Sequence, residues 1–225
     1  MKKLLSTLFA SVVAFATASI APSAAAQDVK GDANAGQKKI AMCIGCHGIP
    51  GYQASFPEIY KVPKISGQNA AYIVAALAAY KIGERRHPTM RGIAETLTDQ
   101  DMADIAVYYS AHGVSADAKL ADKSSKAPSP QVEALLKKAA CASCHGENFA
   151  KPVSPAYPKI AGQYDDYLYV ALKAYKTEGN NNVGRANGVM GGVAKQFSNA
   201  ELKALSKYIA SLDGDLKSVP QGKFR

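Results

Sequence analysis

Cys43-Ile44-Gly45-Cys46-His47-Gly48 recurs 98 positions later as Cys141-Ala142-Ser143-Cys144-His145-Gly146. Cys-x-x-Cys-His is the attachment signature of c-type haem. Two thiols three positions apart on a helical turn reach the two vinyl groups along one porphyrin edge, and the His that follows offers its imidazole nitrogen to the iron. A thioredoxin-like redox pair also uses Cys-x-x-Cys, but at the strand-to-helix turn of an α/β unit, a pattern this chain lacks. Structural zinc wants four ligands, and each half has only three obvious ones.

The repetition extends outward from these motifs. Pro63-Lys64-Ile65-Ser66-Gly67-Gln68 returns as Pro158-Lys159-Ile160-Ala161-Gly162-Gln163, and Tyr72 through Tyr80-Lys81 matches Tyr167 through Tyr175-Lys176. Met90-Arg91-Gly92-Ile93-Ala94 matches Met190-Gly191-Gly192-Val193-Ala194, and Thr98 with Asp101 matches Ser198 with Glu201. Blocks in one order, with an offset that drifts from 98 to 95 to 100, describe a tandem duplication with small loop insertions. Between the halves, residues 115–130 are rich in Ala, Ser, Lys and Pro and read as an extended linker. The division is therefore 27–114 for the first unit and 131–225 for the second. Units of about 90 residues bury little surface by themselves, and a large apolar cofactor at each centre offsets that deficit.

The chain opens Met1-Lys2-Lys3, continues through an apolar stretch to Ile20 and reaches Ala24-Ala25-Ala26. A basic start, a short apolar core and small residues at the end make residues 1–26 a secretory signal peptide, cleaved after Ala26. The apolar run is shorter than the roughly 20 residues of a spanning helix, so the expected location is the periplasm. In that oxidising compartment, all four cysteines of the chain are committed to the two motifs. The formal charge of +9 is uneven: residues 27–118 carry nine basic and nine acidic side chains, residues 127–225 thirteen and eight. No basic stripe with interleaved aromatics accompanies that excess, so nucleic acid is not an expected partner. A solvated surface, or a docking face for an acidic redox protein, accounts for it.

The legible secondary structure is helical, and strand signals are sparse. Residues 35–41 lead into the first cysteine pair, and residues 69–82 place Ile73, Leu77 and Tyr80 on one face. Thr98 with Asp101 and Ser198 with Glu201 start the last helix of each half, the second as a capping box. Ser129-Pro130 starts the helix before Cys141. The expectation is an all-α protein of two tandem units, each about three helices around its haem. Tyr72, Tyr80, Tyr167 and Tyr175 are expected to fill the core.

His47 and His145 account for two of the chain's four His, and the second half has no other. The single Met of that half, Met190, repeats Met90, and thioether sulfur is a known axial partner of His in electron-transfer haems. His87 lies three residues before Met90 and competes for the first iron, but its counterpart is Asn187, so the repeat favours Met90. Met42 adjoins Cys43 on the wrong side, Met102 falls within a helix as core, and His112 ends that helix at the surface. Pro63 and Pro158 stand 16 and 13 residues after the axial His and are candidate backbone acceptors for its second ring nitrogen, or else rigid loop residues.

The duplicated order of Cys-x-x-Cys-His, Pro-Lys-Ile-x-Gly-Gln, Tyr-bearing helix, Met and capped final helix resembles the cytochrome c4 family of periplasmic di-haem proteins. The resemblance covers nearly all of the chain after residue 26. It implies two class I cytochrome c domains packed together, with two covalently bound haem c groups close enough to exchange electrons. Cys43, Cys46, His47 and Met90 would then serve one haem, Cys141, Cys144, His145 and Met190 the other, with Pro63 and Pro158 behind the histidines. It further implies an electron carrier, not an enzyme, that works between a quinol-oxidising complex and a terminal oxidase. The alternative role is the di-haem subunit of an enzyme such as a flavin-dependent sulfide dehydrogenase. Three departures stand out: extra residues between Gly51 and Tyr60, the run Gly179-Asn180-Asn181-Asn182-Val183-Gly184, and Lys138 where the first half has Ile40. The last puts the packing of the helix before Cys141 in doubt.

Overall fold

The Asp32 carboxylate accepts the backbone N–H groups of Asn34 and Ala35 and so starts α1 (Ala33–Lys39). The computed structural model describes residues 29–115, 119–124 and 126–221, and the expected signal peptide, 1–26, lies outside them. After a break at Ile40, α2 (Ala41–His47) carries the first Cys-x-x-Cys-His and ends at Gly48. A short hairpin follows, β1 (Gln53–Ala54) and β2 (Tyr60–Lys61), with Ala54 opposite Tyr60. Then come α3 (Ala70–Lys81), β3 (Arg85–Arg86), α4 (Pro88–Glu95) and α5 (Asp99–Ala111). The second half repeats the order with α6 (Pro130–Ala139), α7 (Ala142–His145), α8 (Asp165–Ala174), β4 (Gly184–Arg185), α9 (Gly188–Ala194) and α10 (Asn199–Ala210). Among the described residues each half thus holds five helical segments, not three, because the cysteine motif and the methionine segment each coil into a short helix.

Local chemistry explains the long elements. Both α5 and α10 begin with a complete capping box, Thr98 with Asp101 and Ser198 with Glu201, so the first half has the device expected only of the second. Ser129 caps α6 and Pro130 occupies its first turn. Ile73 and Leu77 of α3 pack with Ile40, Ile44, Met102, Ile105, Ala106 and Tyr109 in the core of the first half. The second half has two smaller clusters. Val132, Leu135, Phe197, Leu202 and Leu205 form one, and Phe149, Ala150, Ala161 and Leu212 the other. Lys138 does not enter a core as Ile40 does: its Nζ donates to Gln196 O at 3.0 Å and lies 4.9 Å from the centre of the Phe197 ring.

The halves interlock through the repeated Pro-Lys-Ile-x-Gly-Gln segments. Gln68 Oε1 accepts from Lys159 N and its Nε2 donates to Lys159 O, both at 2.9 Å. Gln163 does the same with Lys64, at 3.0 and 2.9 Å. Both glutamines are buried, 5% and 4% exposed, so each closes a pair of backbone polar groups that would otherwise be stranded. Gly67 has φ +85, and a Cβ there would stand 2.6 Å from Asp215 O, so only glycine fits between the halves. β3 pairs antiparallel with β4, with Arg85 opposite Arg185. The two insertions take part in the same junction: Asn180 O accepts from Arg86 Nη1, and Glu58 pairs with Lys173. No helix among the described residues is long and apolar enough to cross a membrane.

Candidate functional site

In the first half, α2 presents Cys43, Cys46 and His47, and Cys43 packs on the same apolar cluster as Met90. The His47 ring is held by Nδ1, which donates to Pro63 O at 2.8 Å. His145 donates likewise to Pro158 O at 3.0 Å. This leaves Nε2 of each imidazole, the nitrogen farther from the backbone, without a protein partner and basic enough to bind a metal. Burial holds both histidines below their ordinary pKa, against the carbonyl bonds, which raise it, so the rings are neutral as ligation requires.

All four cysteines are half-buried, and none is paired in a disulfide. Burial, and then the charge of Cys46, push the Cys43 thiol up to about 11, and burial raises Cys141 as well. Among the described residues no group of three or more His, Cys, Asp or Glu gathers as a metal site.

The methionine segments are built by matched devices. Lys81 Nζ reaches back to Leu97 O at 2.5 Å and Lys176 Nζ to Phe197 O at 2.7 Å, closing the loop that holds each Met. Asn187 Oδ1 caps α9 by accepting from Met190 N at 2.9 Å. His87 does the same for α4: Nδ1 accepts from Met90 N at 3.4 Å, and the Nε2–H side meets Tyr60 OH at 3.0 Å. Both ring nitrogens of His87 are therefore engaged within the protein, and Nδ1 ties the ring to the start of the Met90 segment. Asn187 at the same repeat position was the available signal, since both side chains cap helices through an acceptor atom.

In the second half, Cys141 packs with Phe149, Ala150, Ala161 and Leu212, whereas α9 packs through Val193 against the other cluster. Met102 is core, as expected, and Met42 is 63% exposed. His112 is less of a surface residue than expected: Nδ1 bonds Ser66 Oγ at 2.9 Å and the ring stacks on Tyr108.

The four repeated tyrosines do not simply fill the core. Tyr72, Tyr80 and Tyr167 turn their hydroxyls to Arg85 and Arg185 at the junction. These arginines escaped the reading of the sequence, although their offset of 100 equals that from Met90 to Met190.

A family model described as Cytochrome c matches residues 33–110 and again 131–213. The chain is similar to cytochrome c4 of Stutzerimonas stutzeri, 34% identical over 195 residues, covering 81% of this chain and 90% of that protein. Cytochrome c4 of Pseudomonas aeruginosa is 32% identical over 189 residues, covering 81% and 89%. The fold is similar to the crystal structure of reduced recombinant cytochrome c4 from Pseudomonas stutzeri, with TM-score 0.61 and 31% identity over 81% of this chain and all of that one.

Proposed function

The chain belongs to the cytochrome c family, as a two-domain member of the cytochrome c4 kind with two covalently bound haem c groups, and from that premise we propose that it is a periplasmic electron carrier with no catalytic site. The observation that carries this reading is the pair of buried imidazoles, each oriented through Nδ1 by a proline carbonyl. His47 and Met90 would hold the iron of one haem, and His145 and Met190 that of the other. Pro63 and Pro158 fix ring orientation and tautomer and make each imidazole a stronger donor. Haem c iron supplies a one-electron Fe(II)/Fe(III) couple. An iron held by both a His and a Met would have no coordination position for a substrate, so the chain would exchange electrons only.

Residues 1–26 act as the export signal, 27–114 and 131–225 as the two haem units and 115–130 as the linker. The partners are redox proteins, with electrons passing as a monomer's cargo from a quinol-oxidising complex towards a terminal oxidase. Carbon monoxide added to the reduced native protein tests the reading. Neither haem spectrum is expected to change within seconds of mixing, whereas rapid binding at either iron would mark an enzyme site.

A further inference from the structure

In the second half the end of the methionine loop is tied twice. Lys176 Nζ, just past α8, donates to Phe197 O at 2.7 Å, and Lys138 Nζ, in the last turn of α6, donates to Gln196 O at 3.0 Å. Lys138 Nζ also lies 4.9 Å from the centre of the Phe197 ring, which is buried. Two lysines from different parts of the chain thus grip consecutive carbonyls immediately before Ser198 caps α10. An ammonium-to-carbonyl bond is charge-assisted and stronger than a neutral one. Glu201 supplies the counter-charge: bonds from Ser198 N and Oγ first, and then the charges of Lys138 and Lys176, hold its carboxyl below the ordinary range.

The first half has one prong of this grip, Lys81 Nζ on Leu97 O, and the buried Ile40 stands where Lys138 does. The loops themselves explain why one prong serves there. Lys81 closes its loop across 16 positions and Lys176 across 21. Two glycines lie within the first loop and five within the second. The helix α4 has Pro88 in its first turn and an Arg91–Glu95 pair at 2.6 Å, whereas three of the seven residues of α9 are glycine. Glycine is a poor helix former, and so short a helix does not hold by itself. Lys195 pairs with Glu178, but both belong to the loop. Lys138 and Lys176 are what tie the end of that loop to the rest of the half, and Lys138 stands three residues before Cys141. Its bond to Gln196 therefore joins the segment that leads into Cys-x-x-Cys-His to the one that carries Met190.

We propose that Lys138 and Lys176 are positioning residues that hold Met190 against its iron, and that Lys138 is the second half's compensation for a longer, glycine-rich loop. The inference rests on the reading of Met190 as an axial ligand. Release of either lysine lets the loop open more often, and an open loop leaves the iron accessible to a ligand from solution. The apparent affinity of such a ligand rises in proportion to the open fraction, so it measures the grip directly.

The test is an imidazole titration of the oxidised, haem-loaded full chain, followed by loss of the iron–thioether absorption band. The variants are Lys138→Met and Lys176→Met, which keep the length of the side chain and remove its charge, with Lys176→Arg and Lys81→Met beside them. Each of the first two is expected to bind imidazole about tenfold more tightly at one haem, the loss of one charge-assisted bond, and as the wild type does at the other. The affected haem is the one whose band Met190→Ala removes. Lys81→Met is expected to act at the opposite haem, and Lys176→Arg, which keeps a charged donor, to restore most of the wild-type affinity. Lys138 is exposed, so Lys138→Met decides alone should Lys176→Met not accumulate. A lysine that only supported the fold would lower the unfolding midpoint and leave imidazole affinity unchanged, and that result would overturn the proposal. An equal gain at both haems in Lys138→Met would overturn it as well. A wild-type chain without the band at that haem would instead sink the ligation reading, and this proposal with it.

Discussion

The two halves descend from one repeat, yet they close their first and last helices by different physics. In the first, Gly36 of α1 lets the backbone of α5 approach so closely that a Cβ would stand 2.2 Å from Asp104 O. Beside this contact the Asp104 carboxylate, 2% exposed, accepts from Lys39 Nζ at 2.7 Å, Asp32 N at 2.8 Å and Gln100 Nε2 at 2.8 Å. In the second, the equivalent positions hold Ala134 and Ala204, and α6 meets α10 through Val132, Leu135, Leu202 and Leu205. A polar clamp around a glycine contact and a plain apolar seam support the same Cys-x-x-Cys-His geometry. The haem site constrains where these helices go and leaves open what glues them.

The largest effect that would separate the halves comes from the attachment residues. Replacing Cys141 and Cys144 together by Ala is expected to remove one haem from the intact mass and to unfold the second half at lower denaturant than the matching change at Cys43 and Cys46 unfolds the first. The reason is that the second half divides its buried apolar residues between two small clusters. Equal sensitivity in the two would show that the haem supplies nearly all the stability of both.

Gly36→Ala comes next, at about 3 kcal/mol in denaturant titrations, because the methyl meets backbone that cannot turn aside. The reciprocal Ala134→Gly costs only about 1 kcal/mol, a matter of helix propensity. Asp104→Ala is expected to cost about 2 kcal/mol by stranding its donors. Hydrogen bonds from Lys39 first, then from Thr98 or Asp32, hold Asp101 and Asp104 below the ordinary carboxylate pKa. Their stabilisation is complete above about pH 4 and is lost as the pH falls from there, so the first half should become acid-labile by this route. Circular dichroism at the haem bands follows it, and Asp104→Ala should flatten the dependence. The smallest effect lies at His87: His87→Ala is expected to cost about 1 kcal/mol by uncapping α4, while His87→Asn, the residue the second half uses, stays within a few tenths of the wild type in thermal melts.

What was legible in the sequence followed from how tightly chemistry fixes spacing. Thioether attachment demands Cys-x-x-Cys-His whatever surrounds it, so Cys43, Cys46, Cys141 and Cys144 stood out at once, and the proline carbonyls were reachable from the repeated Pro-Lys-Ile-x-Gly. The junction was not legible, because its partners are far apart in sequence and two of them, Glu58 and Asn180, lie in the insertions that break the repeat. Gly51 N bonds Tyr164 OH across 113 positions, and Lys61 pairs with Asp166 across 105. Tyr72 and Tyr167 passed as core residues since helical spacing reveals an inward face but not that two inward faces meet over a pair of arginines. Lys138 leaves the packing of its helix in doubt from sequence alone, and the Gln196 carbonyl and the Phe197 ring explain how a cation serves there.

Axial ligation by Met90 and Met190 is the point on which the electron-carrier account stands. Oxidised haem with an iron–thioether bond shows a weak absorption band at the red end of the visible spectrum, and stepwise reduction should remove it in two one-electron portions per chain. Met90→Ala and Met190→Ala are each expected to abolish half of the band and leave the other half reducible. A band that survives Met190→Ala at full strength would contradict the assignment.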